Sequence, residues 1–465
     1  MLDLRCTGHA RCRLANLALI AVIALSPACD NENSGPADGA VSRDDAGDSK
    51  LDDAARDLRP DSALIPAEPP VLFPRTGIEA SELALVINAD DPTSVALGAY
   101  YQTKRKIPKS NVVTVKLPVK AKLTQAEFQL AKGAVDKALG PDIQAIALAW
   151  LKPYKVECQS ITAAFALGFD KAKYCSTPCS ATTPSPYYNS TSTKPYTDHQ
   201  LRPTMMIAAM DEPKGKALID RGVAADGMLP TGKGFFLRTT DKARSVRWGD
   251  FQSTVKSWSR PDGIVSEYID NSAGSGSNVL SNEKDVLFYL TGLTKVADLA
   301  TNSYRPGAIA DHLTSFGGRL DGTGQMSVVR WLEGGATGSY GTCSEPCNYQ
   351  QKFPRASVLL RHYFGGATLI EAYWRSVHWP GEGVFVGEPL ARPFGSKVAY
   401  QGSELTITTT TLQPKKDYEL RGKNPNTGAW EVVKNANELA VSTYQRKTVT
   451  VDPMQHAAYE LVALP

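Results

Sequence analysis

Thr314, Ser315, Gly317 and Gly318, then Ser339, Thr342, Glu345 and Asn348, fall in two short clusters of hydroxyls, glycine peptides and polar tips. Such groups suit an anionic or carbonyl ligand, because donors left unpaired in a dry crevice are costly. Ser315, Ser339 and Cys343 are candidate nucleophiles. Ser339 lies in Gly338-Ser-Tyr-Gly341, with Thr337 where a G-x-S-x-G elbow has its first Gly. Cysteine attacks only as a thiolate, and Cys347, four residues on, is a candidate oxidised partner for Cys343. His378, beside Trp379 and a Pro-Gly turn, is placed as a mobile base, whereas His312 sits inside an apolar run and reads as a core residue. Asp311, Glu345 and Glu388 are carboxylates that no spacing pairs.

Two strands must position these groups. Gly307 to Gly318 is too short for a buried helix and stops on Gly-Gly, and Gly335 to Asn348 behaves the same way. Between them, Gln325 to Glu333 carries apolar residues at mixed helical spacing, which predicts a crossover helix and two parallel neighbours. The site of such a sheet lies beyond the carboxyl ends of its strands, which gathers both clusters around one crevice.

The same style begins at Ser81. Leu83 to Asn88 reads as a strand, and a helix follows from Pro92 with Asp91 as its cap; Asp90 and Asp91 join the ligand-binding candidates. Val112 to Leu117 and Ile143 to Trp150 read as strands around a helix opened by the capping box Thr124 to Glu127. Met205 to Ala209, Gly234 to Arg238 and Asp285 to Leu290 continue the series, which predicts a three-layer, doubly wound, mostly parallel sheet. Residues 151–203 form a long irregular insert of the kind that builds binding surfaces. Gly227 to Lys233 fits G-x-x-x-x-G-K, but Gly234 replaces the magnesium-binding Ser or Thr and a strand follows, so no nucleotide is expected. After Pro393, short strands at Leu405–Thr411, Tyr418–Leu420, Trp430–Val433 and Lys447–Val451 predict a β-sandwich over 395–465.

The first 28 residues read as an export signal: Arg5, Arg11 and Arg13, the apolar run Leu14 to Leu25, then Ser26-Pro-Ala-Cys29. Cys29 after a small residue is the expected lipid attachment point, giving a membrane-anchored lipoprotein of the periplasm or outer membrane. Residues 29–70 are an acidic tether too poor in large apolar side chains to order itself. The chain carries 51 basic and 48 acidic residues, and residues 63–465 keep 44 and 37 of them. That surplus is mild and holds no basic run with interleaved aromatics, so nucleic acid is not an expected partner. Cys158, Cys175, Cys179, Cys343 and Cys347 could be read as zinc ligands, but in an exported chain disulfides are the stronger expectation. The expected bridges are Cys343 to Cys347 and one among the other three. No metal or cofactor is expected.

Taken with Leu369-Ile-Glu-Ala-Tyr-Trp-Arg-Ser-Val377 and Gly383-Val-Phe-Val-Gly-Glu-Pro389, the stretch from Arg305 resembles an uncharacterised family of exported bacterial proteins, over residues 81–393. The last hundred or so residues of that domain are remotely similar to gingipain-type cysteine peptidases of the caspase-like fold. That resemblance implies a caspase-like domain over 71–394 and makes an immunoglobulin-like module after it more expected. It also implies a His-Gly at one strand end activating a Cys at the next. This chain has Thr291-Gly292 and Thr314-Ser315 there, and none of its histidines precedes a glycine. The expectation is a pseudopeptidase that binds a ligand, an envelope protein or a glycan. A hydrolase using Ser315, Ser339 or Cys343 is the alternative.

Overall fold

The computed structural model describes residues 68–175, 179–258, 263–322 and 324–465. The signal segment, Cys29 and nearly all of the tether lie outside them. After β1 (Val71–Leu72), strands and helices alternate through β2 (Leu83–Asn88), α1 (Pro92–Arg105), β3 (Val112–Val115), β4 (Lys122–Leu123), α2 (Gln125–Ala138) and β5 (Ala145–Leu148). Asp91 caps α1 by accepting from the Thr93 N–H, and Thr124 and Glu127 form the capping box of α2, as the sequence predicts.

The insert is more ordered than its composition implies. It holds β6 (Lys155–Val156), β7 (Gln159–Ser160), α3 (Ile161–Leu167), α4 (Lys171–Tyr174) and α5 (Pro195–His199). Helix α3 is buried from Ile161 to Ala166, so it has no polar face, and that absence hides a 3.6-residue period.

The chain continues with β8 (Thr204–Met206), α6 (Glu212–Ala225), β9 (Gly232–Arg238), α7 (Trp248–Ser257), β10 (Ile264–Asp270), β11 (Val286–Gly292) and β12 (Tyr304–Leu313). Next come α8 (Val329–Gly334), β13 (Gly338–Thr342), α9 (Ala356–Phe364), α10 (Leu369–Ser376) and β14 (Gly383–Gly387). The crossover helix is shorter than predicted. Residues just before it are held outside the helix, where the Ser327 hydroxyl donates to the Leu320 carbonyl and the Val328 N–H to the Gly317 carbonyl.

Ten strands form one sheet in the order β10-β9-β11-β12-β13-β14-β8-β5-β2-β3. Strands β11 and β12 are parallel neighbours, β12 meets β13 at Ile309–Gly338, and β14 runs antiparallel to β13. Every residue of β5, β8, β11, β13 and β14 is buried, the signature of strands covered on both faces. Gly234 lies inside β9, so the G-x-x-x-x-G-K stretch runs into a strand and not a helix N-terminus.

The C-terminal region holds β15 (Lys397–Gln401), β16 (Glu404–Thr409), β17 (Tyr418–Lys423), β18 (Trp430–Lys434), α11 (Ala436–Leu439), β19 (Lys447–Val451) and β20 (Tyr459–Ala463). They make two small sheets, β15-β16-β19 and β1-β20-β17-β18, around a shared core that includes Leu405, Ile407, Leu412, Tyr418 and Tyr459. Val71 and Leu72 pair with β20, a two-residue strand too short to announce itself in sequence.

Candidate functional site

The ends of β11 and β12 are side by side, with Thr291 opposite His312 and Gly292 opposite Leu313. No thiol or free imidazole stands there. The Thr291 hydroxyl donates to the Leu237 carbonyl (3.2 Å). The Thr314 hydroxyl accepts from Arg244 Nε (3.1 Å) and donates to Gln325 Oε1 (2.8 Å), which also accepts the Phe316 N–H (2.8 Å). His312 is wholly buried, with Nδ1 accepting from Trp331 Nε1 (2.9 Å) and Nε2 against the Met326 carbonyl (3.2 Å). Burial pushes its pKa down to about 3, so it is a neutral core residue, as its apolar setting predicts.

The expected crevice between β12 and β13 is filled. Gly318 donates its N–H to the Thr342 carbonyl (2.8 Å), and a Cβ on Gly318 would lie 2.4 Å from the Gly341 carbonyl oxygen. The Thr342 hydroxyl donates to the Thr314 and Ser315 carbonyls. Two of the peptide donors and one hydroxyl that the sequence assigns to a ligand are therefore used within the fold. Gly317 is buried beneath the same turn. Ser339 is fully buried, and its hydroxyl has no hydrogen-bond partner among the described residues, so no base activates it. Glu345 and Asn348 are exposed, and Glu345 accepts the Cys347 N–H. Asp90 is exposed and Asp91 is spent on its helix. β2 lies five strand positions from β12, which is roughly 24 Å at about 4.8 Å per strand. The two aspartates do not join the cluster.

Cys343 also fails as a nucleophile. It continues β13 into the core, its N–H donating to the Glu382 carbonyl, and burial pushes its thiol up to about 12. The expected Cys343–Cys347 bridge is replaced by Cys179–Cys347 (Cα–Cα 5.5 Å), because Cys347, at φ 58°, has left the strand and faces the insert. Of the three cysteines among which one bridge is expected, Cys158 and Cys175 pair (Cα–Cα 5.7 Å). Among the described residues no cluster of three or more His, Cys, Asp or Glu could hold a metal ion.

A cleft of about 590 Å³ opens near these strand ends, between the start of α7, the turn before α9, and the insert. Its floor is Arg247, which reaches the Thr291 carbonyl (2.7 Å), Asp311 Oδ1 (2.6 Å) and the Pro354 carbonyl (3.3 Å). Asp311 is fully buried; burial raises its pKa and Arg247 opposes that rise. Asp250 accepts from the Ala356 N–H (2.7 Å), Ser357 Oγ (2.7 Å) and Arg355 Nε (3.3 Å), so it caps α9 while facing the cleft.

The opposite wall is aromatic, with Tyr188 and His378 at 4.7 Å between ring centroids. The insert is pinned there by Ser185 N–H to the His378 carbonyl and Asn189 N–H to the Arg375 carbonyl. His378, whose pKa burial lowers, is the one catalytic candidate that reaches the cleft. Both serines that line it donate to backbone carbonyls, Ser253 to Asp250 and Ser376 to Tyr373. The arrangement offers paired charges, amides and a ring face, the groups that suit a polar ligand. Sequence reasoning missed Arg247, Asp250, Arg355 and Tyr188, which follow no motif and meet only through the fold.

The chain is an α/β protein built on a large, mostly parallel sheet, and its described residues are crosslinked by two disulfides. No family model and no curated protein matches it. Among solved structures it is remotely similar to a complex of Porphyromonas gingivalis RgpB pro- and mature domains (9% identity, TM-score 0.35, 83% of this chain and 97% of that one). It is likewise remotely similar to the Arg-specific cysteine proteinase gingipain R (9%, 0.34, 84% and 97%). A structure described as a protease aligns at 10% identity and TM-score 0.36, over 83% and 97% of the two chains. The disulfides suggest an oxidising, exported environment. No helix among the described residues is long and apolar enough to cross a membrane.

Proposed function

We propose that this is an exported envelope lipoprotein with a caspase-like pseudopeptidase domain, which binds a polar ligand or partner in the Arg247–His378 cleft, followed by a C-terminal immunoglobulin-like sandwich. One observation carries the reading: the free cysteine of the described residues, Cys343, is buried with its thiol pushed up to about 12. A thiol at that pKa holds about one part in 10⁵ as thiolate at pH 7. Purified protein incubated with a broad peptide library under reducing conditions should show no cleavage that iodoacetamide abolishes. Iodoacetamide-sensitive cleavage would overturn the pseudopeptidase reading.

The anchor is a separate part of the proposal and rests on the Ala28-Cys29 junction. Protein extracted from membranes should have the mass of residues 29–465 plus lipid. A soluble product cut at another bond contradicts it.

A further inference from the structure

A second cavity, of about 530 Å³, lies between the N-terminal segment at Arg75, the end of α9, and the C-terminal sheets. Arg75, Arg361, His362, Arg375 and Lys416 line it and no carboxylate does. Two of these cations are already balanced, Arg75 by Glu82 and Arg375 by Glu371. Arg361 donates to the neutral amide of Asn189, and no carboxylate among the described residues pairs with it or with Lys416. Arg375 is nearly fully buried, yet its Nε has no hydrogen-bond partner among the described residues. A buried guanidinium N–H without an acceptor costs on the order of 1–3 kcal/mol, which a ligand in the cavity can recover. His362 feels the same surroundings: burial first, then the charges of Arg375 and Arg361, push its pKa down to about 3. The field in the cavity is positive.

We propose that this cavity binds a small polar molecule through an oxyanion, a sulfate, phosphate or carboxylate group, held by Arg361 and Arg375 and closed over by Lys416. Guanidinium forks match planar and tetrahedral oxyanions with two parallel hydrogen bonds, and an ammonium adds a point charge at the rim. The remaining lining offers neutral partners such as Thr411 and Gln413 to the rest of the molecule. Occupancy would bridge the N-terminal segment, α9 and the C-terminal sheets, so bound ligand should also raise the melting temperature.

Isothermal titration of the purified mature protein with sulfate, inorganic phosphate and glucuronate, at ionic strength fixed with sodium chloride, tests this and separates the three sources. At least one should bind saturably with Kd below about 1 mM. The Arg361→Ala/Lys416→Ala double variant should weaken that binding at least tenfold, and so should Gln413→Glu, which places a carboxylate in the cavity without removing a cation. Lys137→Ala, an exposed lysine in the last turn of α2, should leave it unchanged. The proposal is overturned if none of the three binds beyond the chloride control, or if both cavity variants bind like the parent while melting normally.

Discussion

Replacing Glu371 by Ala should destabilise the protein by about 3–5 kcal/mol, the cost of leaving a buried charge without its partner. Its carboxylate is wholly buried and accepts from the Ile78 N–H (2.9 Å), the Thr368 N–H (3.2 Å) and hydroxyl (2.6 Å), the Tyr187 hydroxyl (3.2 Å) and Arg375 Nη2 (3.0 Å). One side chain thus ties the N-terminal segment, the insert and α10 together. Removal orphans Arg375 and several donors at once. Glu371→Gln keeps two acceptor lone pairs but loses the charge, so its cost should fall between Ala and the parent. Glu212→Ala breaks only an exposed i,i+4 pair with Lys216 and should cost less than about 1 kcal/mol. Denaturant unfolding gives all three, and a Glu371→Ala loss no larger than that of Glu212→Ala contradicts the assignment.

Arg247→Met should be comparably costly, about 3–5 kcal/mol at pH 8, and its cost should depend on pH. Asp311 is buried and already held above the ordinary carboxylate range by desolvation, with Arg247 opposing the shift. Without Arg247 the carboxyl rises further. A group whose folded-state pKa exceeds its unfolded value gains a proton on folding. Its contribution is complete below the unfolded value, about 4, and is lost as pH rises through the folded one. The deficit relative to the parent should therefore be smallest near pH 4 and grow towards pH 8. A deficit constant across that range would mean that Asp311 does not titrate in the variant.

Much of the scaffold is legible in the sequence because its determinants are local. Asp91 and Thr124 sit one residue before their helices, and β2 and β11 are unbroken apolar runs bounded by polar residues. The parallel pairing of β12 with β13 follows from the crossover helix between them. What could not be read was long-range. Cys347 pairs with Cys179, 168 residues away, and no spacing announces that contact. The crevice between β12 and β13 reads as open because Gly317-Gly318 signals a loop, whereas Gly318 and Gly341 are glycine so that two backbones can touch. Glu371 and Glu388, which read as motif or acid–base residues, are structural anchors. Glu388 is fully buried and bonded to Arg105 Nε at 2.8 Å. The cleft around Arg247 is assembled from α7, the turn before α9, the end of α10 and the insert, four segments that share no pattern.

Among the described residues the fold holds no thiol able to attack a peptide, and counting reactive thiols tests this most directly. Mature protein treated with iodoacetamide should remain unlabelled while folded, and after unfolding without reductant should take one label, on Cys343. Labelling of Cys343 in the folded protein at neutral pH, with loss of a peptide-cleaving activity in step, would contradict the account.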